Sequence, residues 1–189
     1  KEYFFYVPLT LTLATSFSWG QDIIFRDIAE QSSLNFKHDH GGSGEYYYVE
    51  SMGSGICTFD YDNDGDLDAY FPQGSPLPGW DKQIILENKL FRNDGSKWKD
   101  VTNEAGVGDR KYGLGCACGD YDNDGDVDLY VTNYGSDVLF RNNSDGTFSD
   151  MTLDVGIDNP DMGMSAAFFD SDNDGWLDLY VTNYVDYSI

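Results

Sequence analysis

An all-β chain built from repeated four-stranded antiparallel units is what the sequence predicts, on three observations. One acidic nonapeptide occurs three times. Similar short strand patterns flank its copies. Gly, Tyr and Phe are plentiful at 21, 14 and 12 residues, whereas Pro is scarce at 5, a composition that suits strands and tight turns. With 189 residues, the chain can bury one ordinary core.

Taken in order, residues 1–20 read KEYFFYVPLTLTLATSFSWG. One Lys, an apolar run and small residues at Ser16, Ser18 and Gly20 match the remnant of a secretory signal peptide. The same stretch carries a rival pattern, because Val7, Leu9, Leu11, Leu13, Phe17 and Trp19 alternate with smaller or polar residues as a strand would. The signal peptide is the expectation, and it places the protein in a secreted, extracellular or periplasmic setting. As a membrane span the stretch is too short and too rich in Thr and Ser.

The phrase from Phe25 through Asp27 and Ile28 to Leu34 returns from Trp98 through Asp100 to Val107, and again from Phe148 through Asp150 to Ile157. Between its first copy and the first strand lies a Gly-rich polar loop. That loop contains His38 and His40, for which no third metal ligand is evident, and Tyr46 to Tyr48, read as packing residues with a sugar platform as the alternative. Small-residue strands then lead into each acidic nonapeptide, at Gly55–Phe59, Gly115–Gly119 and Met164–Phe169. A strand of period two follows each one, placing Leu67, Ala69 and Phe71 on one face, then Val127, Leu129 and Val131, then Leu177, Leu179 and Val181. Leu90-Phe-Arg-Asn93 and Leu139-Phe-Arg-Asn142 form the third strand, turned by Asx-Gly pairs into the aromatic-x-Asp strand. Residues 72–83, with three prolines and two glycines, are an inserted loop.

The nonapeptide itself is D-x-D-N-D-G-x-x-D. Its copies are Asp60, Asp62, Asp64, Asp66 and Asp68; Asp120, Asp122, Asp124, Asp126 and Asp128; and Asp170, Asp172, Asp174, Trp176 and Asp178. Carboxylates at positions 1, 3 and 5 are what a tight loop needs to wrap one hard cation, and the Gly at position 6 permits the sharp turn. Positions 1, 3, 5 and 9 are Asp in every copy. Position 7 is Asp66, Asp126 and then Trp176, so its backbone carbonyl suffices as a ligand. Oxygen-only donors favour Ca²⁺ over zinc or copper, and an all-protein cage favours it over Mg²⁺. Three Ca²⁺ sites are therefore expected. These loops are not EF-hands, because position 12 holds Phe71, Val131 and Val181 in place of a bidentate Glu.

Eleven basic and 34 acidic residues leave a net charge of 11 − 34 = −23. Fourteen of the acids lie in the three loops (5 + 5 + 4), so much of this charge belongs to sites. Nucleic acid is excluded as a partner by the lack of any basic patch. Cys57, Cys116 and Cys118 are read as small buried residues, since two cysteines two apart in a strand are awkwardly placed for a disulfide.

The loops are spaced 60 and then 50 residues apart. Four-stranded units repeating at roughly 40–50 residues are the mark of a β-propeller. About two and a half blades are expected, at residues 53–107, 113–157 and 163–189, within an N-terminal propeller part spanning 21–189. Residues 23–34 would be a closing outer strand. Left without its partner, that strand is an open edge and a route to self-association.

These units, with their Phe-Asp-Tyr-Asp-Asn-Asp-Gly-Asp-Leu-Asp loop, Leu-Phe-Arg-Asn strand and Asp-Val-Thr turn, resemble the FG-GAP/VCBS repeat family, which includes the integrin α-subunit propeller. A narrower likeness is to secreted proteins related to cartilage acidic protein 1, which often carry an ASPIC/UnbV module; no such module is visible here. The resemblance implies a seven-bladed propeller with Ca²⁺ in the hairpin loops between the first two strands of a blade. The function it suggests is a non-enzymatic binding or adhesion module for a protein or glycan. The alternatives are a carbohydrate-active propeller enzyme and a structural subunit of an extracellular filament or matrix. Against the enzyme stands the want of a nucleophile–base constellation in the sequence.

Overall fold

The structure, a computed structural model, describes residues 26–186 and 189. The expected signal peptide at 1–20, its rival strand and Phe25 lie outside the described residues. The architecture is all-β, as the sequence predicts. Among the described residues, the helical segments are single turns: α1 (Ala29–Ser32), a 3₁₀ turn (Tyr48–Ser51) and α2 (Thr102–Ala105).

In the first sheet β1 (Cys57–Phe59), β2 (Asp68–Phe71), β3 (Lys89–Asn93) and β4 (Trp98–Asp100) pair antiparallel in chain order. The second contains β5 (Tyr112–Gly119), β6 (Asp128–Asn142) and β7 (Phe148–Asp150). Strand β6 reverses at Gly135, where φ is +92°. Its first arm pairs with β5 and its last residues, 140–142, pair with β7. One long strand thus serves as both the second and third strands of a blade. Asp137 holds the reversal, with Oδ1 accepting from Asn133 N at 2.7 Å and Oδ2 accepting from the Tyr130 hydroxyl at 2.8 Å. In the first sheet, residues 72–88 take the place of this turn. The third sheet is the hairpin of β8 (Gly163–Phe169) and β9 (Asp178–Asn183).

Register places the acidic loops identically, because each closes the hairpin of the first two strands. The last pairs before the loop are Phe59↔Asp68, Gly119↔Asp128 and Phe169↔Asp178. The first strands approach closely because they are made of small residues. A Cβ at Gly115 would lie 2.7 Å from the Met164 carbonyl oxygen, well inside van der Waals contact.

The main core fills the space between the first two sheets. It joins Phe59, Tyr70 and Leu90 to Leu129, Val131 and Phe140. A second cluster of Val49, Leu77, Tyr112, Leu114 and Met162 lies around β5. Burial departs from the expected one-faced strands. Leu67 is exposed whereas Tyr70, on the opposite face, is fully buried, and both faces of β6 are buried around Leu129 and Tyr130. Blades stack face to face, so the second sheet has a neighbour on each side and both of its faces become core. The tyrosine at the equivalent place in each second strand measures this: Tyr70 is 0% exposed, Tyr130 1% and Tyr180 61%.

The recurrent Asp-hydrophobic-Thr phrase ends the first two sheets with a capped turn. Asp100 Oδ1 accepts from Thr102 N at 3.0 Å and from Thr102 Oγ1 at 2.6 Å, while that hydroxyl oxygen accepts from Leu90 N at 3.0 Å. Asp150, Thr152 and Leu139 repeat the set. Asp27 makes the corresponding bond to Ala29 N at 3.0 Å. The turns then close on left-handed residues, Ser33 at φ +68° and Gly106 at +76°. Of the segment expected as a closing strand at 23–34, residues 23–25 lie outside the described residues, and residues 27–33 form the same turn that follows β4. Its described residues 26–28 are not in a strand, and Lys97 Nζ donates to the Gln31 carbonyl at 2.6 Å.

Candidate metal centre

Each loop is wound around its own first carboxylate. Asp60 accepts from Asp64 N at 3.1 Å and Gly65 N at 2.9 Å, Asp120 from Asp124 N and Gly125 N at 3.0 Å each, and Asp170 from Asp174 N at 3.1 Å and Gly175 N at 2.9 Å. Two left-handed residues in each loop, at positions 4 and 6, give this winding. Gly65, Gly125 and Gly175 lie at φ +89 to +96°, and Asn63, Asn123 and Asn173 lie at +57 to +61°. Asn tolerates this region better than other side chains, which explains why position 4 is Asn in every copy.

Positions 1, 3 and 9 converge. One carboxylate oxygen each from Asp60, Asp62 and Asp68 lies within 4.8 Å of the others, and the same holds for Asp120, Asp122 and Asp128 and for Asp170, Asp172 and Asp178. Asp64, Asp124 and Asp174, also expected as ligands, fall outside these groups. Their Oδ1 atoms accept from the position-7 amides, Asp66 N at 2.9 Å, Asp126 N at 3.0 Å and Trp176 N at 2.8 Å. In this arrangement position 5 holds the amide of the residue whose carbonyl was read as a ligand.

The position-9 carboxylates of the first two loops are buried and anchored both from the loop and from the neighbouring strand. Asp68 accepts from Tyr61 N at 3.0 Å and Asn93 N at 2.8 Å, and Asp128 from Tyr121 N at 3.0 Å and Asn142 N at 2.8 Å. Burial, with the neighbouring position-3 and position-5 charges, pushes both up to about 6 despite these bonds. Asp62 and Asp122 are raised as well, first by burial and then by the charge of Asp64 and Asp124. The Oδ1 atoms of Asp62 and Asp122 are buried and have no hydrogen-bond partner. A buried carboxylate oxygen without a donor, beside two further carboxylates, fits a bound cation: the ion would supply the missing partner and the missing charge. Arg92 is the nearby protein cation in the first loop, with Nη1 3.9 Å from Asp62 Oδ2, but its Nε is committed to Asp94 at 2.7 Å. The third loop is more open. Asp178 is exposed there, and hydrogen bonds from the Ser171 hydroxyl and amide hold its carboxyl below the usual range.

Position 7 is not equivalent between copies. Asp66 is exposed, whereas Asp126 is 8% exposed and accepts from Asn63 Nδ2 at 2.5 Å and from the Ser144 hydroxyl. Asp66→Ala is therefore expected to be silent within roughly 0.5 kcal/mol. Asp126→Ala should cost about 1.5–3 kcal/mol, the range for hydrogen bonds to charged groups. Urea unfolding of the two variants measures the difference, and equal midpoints would contradict it.

Other candidate groups behave differently from their appearance in sequence. The three cysteines meet between β1 and β5, where Cys57 is hydrogen-bonded to both Cys116 and Cys118. Those bonds, Cys116 first, favour the Cys57 thiolate, and they push the other two thiols up. Their convergence came from the stacking of two sheets, which sequence spacing does not reveal. Ser54 and His38 also come together, with Oγ 2.8 Å from Nε2. The Ser54 hydroxyl donates to the Gly113 carbonyl at 2.9 Å. With that proton so placed, Nε2 faces the oxygen as a donor, a tautomer that cannot take the Ser54 proton through Nε2. His40 Nδ1 lies 3.5 Å from Glu50 Oε2. Tyr47 packs on the second cluster, Tyr48 stacks on Tyr184 with centroids 6.0 Å apart, and Tyr46 is 89% exposed, so the three tyrosines do not share one packing role.

This architecture and its acidic hairpin loops define a β-propeller-type repeat module. A family model described as FG-GAP-like repeat matches residues 120–181, from the first carboxylate of the second loop through the third loop and into β9. No curated protein matches the chain. Among the described residues, no helix is long and apolar enough to cross a membrane.

Proposed function

We propose that this chain is a calcium-binding propeller segment of an extracellular or periplasmic protein, serving as a binding or adhesion module without catalysis. The observation that carries the reading is the pair of buried, unpartnered oxygens, Asp62 Oδ1 and Asp122 Oδ1, each within a convergent carboxylate triad. Asp60, Asp62 and Asp68, with their counterparts in the other loops, would hold the ions. Calcium bound there would fix the hairpins and thereby the loops that face a ligand. The FG-GAP-like match and the resemblance to secreted proteins related to cartilage acidic protein 1 support the same reading. The exposed Tyr46 and the stacked Tyr48–Tyr184 pair offer aromatic surface suited to a protein or glycan partner. Calorimetric titration of the metal-free chain with Ca²⁺ should find three sites, one of which is lost in each of Asp62→Ala, Asp122→Ala and Asp172→Ala. A chain that takes up no calcium would end the proposal.

The pH dependence follows from the buried position-9 acids. A protonated carboxyl is a poor ligand, so calcium affinity should be full above about pH 6 and fall below it as Asp68 and Asp128 take up protons. The metal-free protein should respond in the opposite sense. A folded-state value raised above the ordinary 3.8 means that the native state binds more protons between roughly pH 4 and 6, so metal-free stability falls as pH rises through that window. Calcium titrations and chelated melts at pH 5 and 7.5 test both signs.

A further inference from the structure

The side chain at position 4 of one loop reaches into the next. Asn63 Nδ2 donates to Asp126 Oδ1 at 2.5 Å, and Asn123 Nδ2 donates to the Gly175 carbonyl at 2.9 Å. The first bond grips the side chain at position 7 of the second loop, and the second grips the peptide leading into Trp176, position 7 of the third. Asn142 Nδ2 adds a tie by donating to the Tyr61 carbonyl at 2.8 Å, joining the second sheet to the first loop.

We propose that Asn63 and Asn123 are positioning residues that couple the three cation loops into one cooperative array. This rests on the calcium reading above. Each Asn follows directly on a triad carboxylate, Asp62 or Asp122, and its own backbone is held at φ +59° or +57°. A cation on that carboxylate fixes the left-handed residue and with it the direction of the amide. The amide then holds position 7 of the following loop, through the Asp126 side chain or through the peptide that enters Trp176, and the carbonyl of position 7 is the expected ligand. An ion in one loop thus removes part of the ordering cost for the next, and coupling of this kind is reciprocal. The second loop is the hub, since it receives Asn63 and supplies Asn123.

Trp176 makes this measurable, because its indole stands on the third loop and can sensitise the emission of bound Tb³⁺, used as the probe. A Trp176→Phe control assigns the signal to that loop. Asp122→Asn, which weakens the second loop without touching the third, should raise the Tb³⁺ midpoint of the third loop at least roughly fivefold, the lower end of typical couplings. In the Asn123→Gly background, which tolerates the left-handed backbone but lacks the amide, Asp122→Asn should leave that midpoint unchanged. Circular dichroism of each variant shows that the sheets remain folded. A shift of equal size in both backgrounds, or in neither, overturns the coupling and leaves calcium binding intact. Absence of sensitised emission from the wild-type chain overturns the cation reading itself.

Discussion

Chelation should lower the melting temperature of this chain by roughly 8–16 °C, and added Ca²⁺ should restore it. A ligand at ten times its dissociation constant stabilises the native state by about 1.4 kcal/mol per site, so three triads contribute about 4 kcal/mol. A chain of this length shifts by roughly 2–4 °C per kcal/mol. The effect has a specific structural source. Without an ion, each loop holds three convergent carboxylates in a molecule that already carries a net charge of −23, and the repulsion is relieved by unfolding. Added NaCl should recover part of the loss by screening. Mg²⁺ should recover little, because it gives up its waters reluctantly. Superimposable melting curves with and without chelator would show that the triads are solvated acidic turns.

Asp128→Ala should, like Asp68→Ala, be among the most damaging single changes in the loops. The side chain is fully buried and accepts from Tyr121 N and Asn142 N, so its removal strands two backbone donors and opens a void at the base of the second loop. Each stranded donor costs about 1–3 kcal/mol, a large share of a domain's typical 5–15 kcal/mol. One cation site goes with it. Asp178→Ala removes the same motif position where it is exposed, and its donors can turn to water, so the loss should be mainly that of the third site. Chemical denaturation in excess chelator isolates the structural part. If both variants then lose the same stability, burial is not what distinguishes them.

The hairpin loops were legible because three copies could be compared, so Asp at positions 1, 3 and 9 stood out against Tyr61 and Ser171 at position 2. The strand order was legible for the same reason, since Leu90-Phe-Arg-Asn93 and its repeat fall in register with β3 and β6. What escaped the sequence depends on how sheets stack. Asn63 and Asn123 are identical in every copy, which was a usable signal for the left-handed turn, but their reach into a neighbouring loop is a contact between blades. The meeting of Cys57 with Cys116 and Cys118, and of His38 with Ser54, has the same origin. So does the burial of both faces of β6. Position 5 is a subtler case, because any carboxylate in such a loop has ligand chemistry, and only the backbone winding shows that Asp64 faces the amide of Asp66.

The uncovered face at Tyr180 has a consequence for how the molecule breathes. Amide protons are released to solvent by local openings whose free energy tracks how much apolar surface an element buries. Strands β5 and β6 are enclosed on both sides, and their amides should exchange only near global unfolding. The β8–β9 hairpin, with Phe169, Tyr180 and Tyr184 each about half exposed, has little holding it from one side. It should open alone, exchange its protons orders of magnitude sooner, and take the third loop with it, leaving the first two sheets folded behind a frayed end.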